Sequence, residues 1–108
     1  MDLDESILHE MCDGDLEFET ELLQTFLNCQ ETAMDELALA ADHRDLEAIK
    51  TVAHFTKGGA RSIGGAKLAQ LSETLEFAAS QGDSDLVLSL VAQAQLAFDS
   101  LRQIIQSR

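Results

Sequence analysis

The sequence predicts an all-α fold: an antiparallel up-down-up-down four-helix bundle with a short N-terminal helix in front. Three observations carry that expectation. Proline is absent while alanine, leucine, glutamate and glutamine are plentiful, which favours helix nearly throughout. Apolar residues recur at three-four spacing along four long segments. No stretch alternates as a strand would. With 108 residues the chain makes one domain, long enough to bury a modest core without disulfides or metals.

The first helix is expected over about 4–12, with Ile7, Leu8 and Met11 on its apolar side. Asp2 or Asp4 caps its start and Gly14 ends it. The second runs over about 16–41, roughly 36 Å long at the usual helical rise. Phe18, Leu22, Leu23, Phe26, Leu27, Ala33, Met34, Leu37 and Ala41 form its stripe, and Glu17, Glu19 and Glu21 crowd first turns where the helix dipole favours acids. The link Asp42-His43-Arg44 is short, so the next helix returns antiparallel, with His43 in the loop. The third covers about 45–63 and stops at Gly64-Gly65; its stripe is Leu46, Ile49, Ala53, Thr56, Ala60 and Ile63. The fourth spans about 66–81, with Leu68, Leu71, Leu75 and Ala78 inward and Phe77 at the margin of that face. Gly82 ends it, and Asp83 or Ser84 caps the fifth. The fifth, about 84–106, carries Val87, Val91, Ala94, Phe98, Leu101 and Ile105 at the four-three alternation of a bundle seam.

The totals exclude several function classes. The net charge of −13 argues against nucleic acid and against anionic membrane surfaces. No apolar run approaches the roughly 20 residues that span a bilayer, and the acidic N-terminus is unlike a secretory signal. Cys12 and Cys29 are too few for a disulfide framework and read as buried thiols, so the cytoplasm is the expected compartment. The charge is also unevenly placed. Residues 1–43 carry thirteen acids and no lysine or arginine. Residues 44–67 hold Arg44, Lys50, Lys57, Arg61 and Lys67 against two acids. Most of the basic residues therefore sit in one segment, 44–67, which spans the third helix.

That helix displays a histidine. At about 100° per residue, His54 lies roughly 140° from the direction of Ile49, well off the apolar stripe. Lys50 is one turn before it, Lys57 and Gly58 one turn after, and Arg61 two turns after. Glycine inside a helix costs about 1 kcal/mol relative to alanine, and here Gly58 and Gly59 stand together. Gly58 clears space beside the imidazole, giving a bulky partner access to the ring. The plainer reading is that the two glycines end the helix and His54 is an ordinary surface histidine.

Ala53-His54-Phe55-Thr56-Lys57-Gly58, followed by small residues and Gly64, resembles the signature of histidine-containing phosphotransfer (HPt) domains. The acidic start and the Leu75-Glu76 pair on the next helix extend the resemblance. Thr56 departs from it, since the residue before the lysine is usually a larger aliphatic. The resemblance implies the same bundle fold. It implies that His54 accepts and donates a phosphoryl group through Nε2, exchanging it with an aspartate of a response-regulator receiver domain. Lys57 then meets the phosphoryl oxygens, Gly58 provides access, and Lys50, Arg61 and Ser62 contribute field or partner contacts. A hybrid sensor histidine kinase is an implied partner. Mg²⁺ belongs to the receiver, so no cofactor or metal is expected on this chain. No ATP-binding kinase domain is discernible, so the protein relays a phosphoryl group without generating one, as a monomer.

Other constellations fall short. The phosphate-cradling loop of nucleotide-binding proteins needs a lysine and then Ser or Thr after its last glycine, and Gly65-Ala66 follows Gly64. The di-iron pattern needs Glu three residues before His, where Ser6, Ala40 and Thr51 stand. No signal points to a serine-histidine hydrolase. His9 and Cys12 share a helix face but lack further metal ligands. Asp83-Ser84-Asp85-Leu86 approaches the Asp-Ser-Leu setting of acyl-carrier proteins, though Asp85 interrupts it and Ser84 reads better as a cap. A phosphoryl-inert acidic docking module is the remaining alternative.

Overall fold

The computed structural model describes residues 2–108. Five helices follow one another: α1 Glu5–Met11, α2 Leu16–Asp42, α3 Leu46–Ser62, α4 Ala66–Gln81 and α5 Ser84–Gln106. Their starts are set by aspartates whose side chains accept otherwise unpaired first-turn amides: Asp4 for α1, Asp15 for α2, Asp45 for α3 and Asp83 for α5. Ser84 is thus the first residue inside α5, and His43 closes α2.

Short connections force antiparallel neighbours, and α2 to α5 form a bundle in which α3 packs on α2 and α4, and α5 on α4 and α2. The molecule is long and narrow, 42 × 19 × 18 Å, as α2 dictates at roughly 40 Å for its length. Leu37, Ile49, Leu68, Leu75, Val87, Phe98 and Leu101 fill the centre at 2% exposure or less. Phe26 meets Phe98 at a centroid distance of 6.4 Å, and Gln95 Nε2 donates to the carbonyl of Met34 at 2.9 Å, joining α5 to α2.

The short α1 closes the end of the bundle. The amide of Asp4 donates to the carbonyl of Gly64 at 2.7 Å. Gly64 has φ +80°, and a Cβ there would lie 2.5 Å from the Asp4 carbonyl oxygen, so the α3–α4 turn tolerates no side chain where α1 crosses it.

Several side chains depart from the predicted faces. Phe18, expected in the core, is 47% exposed, and Phe77, placed at the margin of the inward face, is 66% exposed. Phe18 lies in the first turn of α2. Ile7 and Met11 are exposed too, and only Leu8 of the expected trio is fully inside. Leu22 and Leu71 are half-buried. Cys12 is buried, whereas Cys29 is exposed. Four polar residues take interior places, Glu19, Gln30, Thr56 and Ser72, each 1% exposed. Glu19 is more than a dipole partner. His9 Nδ1–H donates to its Oε2 at 2.6 Å and Arg108 Nη2 to its Oε1 at 3.1 Å, so one carboxylate ties α1 and the end of α5 to α2. Arg108 also faces Glu5 at 3.4 Å. Burial raises the Glu19 pKa, but these two hydrogen bonds outweigh it and hold the carboxyl below the usual range.

Candidate functional site

The third helix builds the site. Ile49, Val52, Ala53, Thr56 and Ala60 turn inward, which leaves His54 on the outer face with its side chain 70% exposed. The stripe predicted from spacing therefore sets the direction of the imidazole. Helix α4 runs antiparallel beside it and supplies the partner. His54 Nδ1–H donates to Glu76 Oε2 at 2.9 Å, and Lys57 Nζ donates to Glu76 Oε1 at 2.8 Å. One carboxylate thus holds the ring and the ammonium one turn away. Among the described residues Nε2 has no protein partner, so it is the nitrogen left with a lone pair toward solvent.

Glu76 is 22% exposed and Lys57 18%. The Lys57 ammonium lowers the Glu76 pKa most, burial opposes this, and the His54 hydrogen bond lowers it further, so the carboxyl titrates below its ordinary range.

A Cβ built on Gly58 meets no atom within 4 Å, so the surface beside His54 is open at that position. The glycine pair does not end α3, which continues to Ser62. Ser62 hydroxyl donates back to the Gly58 carbonyl at 2.9 Å, inside its own helix. Arg61 Nη2 reaches Glu73 Oε2 at 3.1 Å, with both side chains more than half exposed, a pair of little energetic weight. Lys50 is half-buried on the same flank and pairs with no carboxylate among the described residues. The basic strip read from the sequence is therefore interleaved with acids from α4: Lys57 and Arg61 each face a glutamate.

On the other side of His54, Phe55 is 52% exposed and lines a groove of about 580 Å³ with Cys29, Thr32, Thr51 and Val52. Below the site, Thr56 and Gln30 are each 1% exposed, and Gln30 Nε2 donates to Thr56 Oγ1 at 2.7 Å. The unusual threonine is therefore paired inside the core.

The structure brings His54, Lys57 and Gly58 together, with Lys50, Arg61 and Ser62 along the same helix. Sequence reasoning noted Glu76 only as half of the Leu75-Glu76 pair and gave it no role. Its signal was faint: an acid next to an inward leucine on the helix that must lie beside α3. The other histidines stand elsewhere. His9 is bound to Glu19, and His43 closes α2. Glu5, His9 and Glu19 come close enough to suggest a metal site, but the Arg108 guanidinium already neutralises both carboxylates. Cys12 is buried, and burial with nearby Glu19, Asp15 and Asp13 raises its pKa, away from the thiolate a metal needs.

Comparison with known proteins bears on the family and the fold. The family model described as Hpt domain matches residues 21–104. The fold is similar to that of histidine-containing phosphotransfer protein B from Pseudomonas aeruginosa PAO1, with a TM-score of 0.91 and 26% identity over 98% of this chain and 92% of that one. It is also similar to the HPT domain of the Hpt sensor hybrid histidine kinase from Shewanella, with a TM-score of 0.76 over 98% and 95% of the two chains; at 15% identity that likeness concerns the fold alone. No curated protein sequence matches the chain.

Proposed function

Because the chain belongs to the Hpt domain family, whose business is phosphotransfer in two-component signalling, we propose that His54 is its phosphoryl carrier and exchanges the group with receiver-domain aspartates. One observation supports this above the others: an exposed imidazole whose Nδ1–H is held by Glu76 and whose Nε2 faces outward. With the proton fixed on Nδ1, the Nε2 lone pair is available for attack.

In the forward step the Nε2 lone pair forms a bond to phosphorus. The phosphorus–oxygen bond of the receiver's aspartyl phosphate breaks, and its electron pair leaves with the carboxylate. The Nδ1 proton stays on the ring, where Glu76 offsets the positive charge the imidazole gains. Phosphoryl transfer demands position and charge stabilisation more than covalent help. A ring on a rigid, well-capped helix provides the first. Lys57 provides the second: its ammonium is one helical turn from His54 and is free to trade a Glu76 oxygen for a phosphoryl oxygen. Gly58 admits the partner's active-site edge. Lys50 and Arg61 meet the partner's acidic surface, and Ser62 lies at the rim of the same contact. The chain carries the group and does not take it from ATP.

Incubation with a receiver domain phosphorylated on aspartate tests the reading. The protein is expected to acquire acid-labile phosphate. His54→Gln removes the label with helical content unchanged, while His9→Gln and His43→Gln keep it. Label persisting on the His54→Gln protein places the carrier elsewhere. Tight binding to receivers without any label indicates a docking module.

A further inference from the structure

We infer that the buried Gln30–Thr56 hydrogen bond is a positioning device: it fixes the rotation of α3 about its own axis and so delivers His54 to Glu76. The inference concerns the geometry of the site and rests on the phosphocarrier reading only for its effect on transfer.

Around the site, the inner side of α3 carries small residues at Ala53, Thr56, Gly59 and Ala60, while its larger buried side chains, Ile49 and Val52, lie in the turns before it. Small residues give a helix few knobs to lock into its neighbour, and ridge-and-groove packing then defines its rotation weakly. Gly59 has no side chain at all. A Cβ there would meet Phe26 at 3.6 Å and Gln30 Oε1 at 3.8 Å, so α2 presses its phenyl ring and its amide against a nearly bare stretch of α3. An apolar contact on such a surface can slide. A hydrogen bond of 2.7 Å cannot, because its strength falls steeply with distance and angle.

The tolerance on the other flank is small. His54 and Lys57 must both reach one carboxylate, at 2.9 and 2.8 Å. At a side-chain radius of about 5–6 Å, a rotation of about 20° carries a ring atom by roughly 2 Å. That is enough to break the contact between Nδ1 and Glu76. The polar pair also has a cost that apolar residues would avoid, since two buried polar groups must satisfy each other. Buried polar residues that fix register at some expense of stability are an attested use of such pairs. Both partners are 1% exposed, on α2 and α3, and Thr56 is only two residues from His54 on the opposite face of the helix.

The test uses the double variant Gln30→Leu with Thr56→Val, which replaces the pair by apolar groups of similar size and leaves no orphaned amide. The single variant Thr56→Val is less informative because an unpaired Gln30 can unfold the domain. Three measurements are made on the full chain: thermal unfolding, the ¹⁵N and ¹H imidazole signals of His54, and transfer from a phosphorylated receiver resolved into affinity and maximal rate. The double variant is expected to melt at or above the wild-type temperature. Its His54 signals should shift toward the tautomer mixture of a free imidazole. Its maximal transfer rate should fall at least fivefold with receiver affinity within twofold. Thr56→Ser, which keeps the hydroxyl, should match the wild type in all three. Wild-type His54 signals in a folded double variant overturn the inference, whatever the transfer assay gives. A wild-type protein that takes no phosphoryl group from receivers defeats the carrier reading instead, and the imidazole signals still decide this one.

Discussion

Lys57 and Glu76 show how much one side chain depends on the helix it meets. Lys57 is bound to the same carboxylate as His54, while Lys67, at the start of α4, is 58% exposed and lies 4.0 Å from Asp2. If the Lys57 ammonium stabilises the charge on the phosphoryl oxygens, Lys57→Ala lowers the transfer rate about tenfold, the equivalent of 1.4 kcal/mol of barrier. Lys67→Ala leaves it within about twofold on the same scale. Stopped-flow or gel-based transfer from one receiver compares the two, and equal effects would mean that position on the His54 face carries no weight. Arg61 is a weaker candidate, because its pair with Glu73 is solvent-exposed and readily exchanged for a partner's acid.

Helix α3 carries two adjacent glycines in its interior, and the structure separates their roles. Gly58 faces open space beside His54, whereas Gly59 faces Phe26 and Gln30 at ordinary contact distances. Gly59→Ala is therefore expected to stabilise the domain by about 1 kcal/mol through helix propensity, with transfer unchanged. Gly58→Leu keeps the helix and hinders transfer, because the added side chain covers the approach to the ring. Denaturant unfolding and transfer rates on the two variants check both statements. Unimpeded transfer in Gly58→Leu would remove the access role. The glycine pair was first a candidate helix end; Ser62 is the last helical residue because α3 remains packed between α2 and α4 through that turn.

Across the whole molecule, charge makes stability depend on pH in a predictable sense. Glu19 and Glu76 both have pKa values below the usual carboxylate range in the folded protein. The unfolded chain therefore takes up their protons first as pH falls. Their contribution is complete above the ordinary glutamate pKa, about 4.3, and is lost as pH drops through the lower folded values. The melting temperature should decline on acidification below about pH 5 as this linkage sets in. Glu19→Gln should be less stable than wild type at neutral pH, and the gap between the two should close as the solution becomes acidic. Thermal melts from pH 3 to pH 7, on the order of the carboxylate range, provide the check. A gap that does not change with pH would show that Glu19 acts through packing alone.

Much of this protein was legible in its residues. Ile49, Ala53, Thr56 and Ala60 face inward as their spacing requires, so the outward direction of His54 follows from periodicity alone, as does the bundle seam of Val87, Val91, Ala94, Phe98, Leu101 and Ile105. Local rules narrowed the caps to Asp2 or Asp4 and to Asp83 or Ser84, because a cap needs only the amides of its own first turn, and the structure selects Asp4 and Asp83. What spacing could not supply was the company each face keeps. Phe18 and Phe77 have the chemistry of core residues but no neighbouring helix to bury them, while Glu19 and Gln30 look like surface residues and are buried because His9, Arg108 and Thr56 reach them across the fold. Glu76 turns a displayed histidine into one with a fixed proton, and it lies 22 residues away along the chain. Helical periodicity decides which way a side chain points; only the packing of one helix on another decides what it meets there.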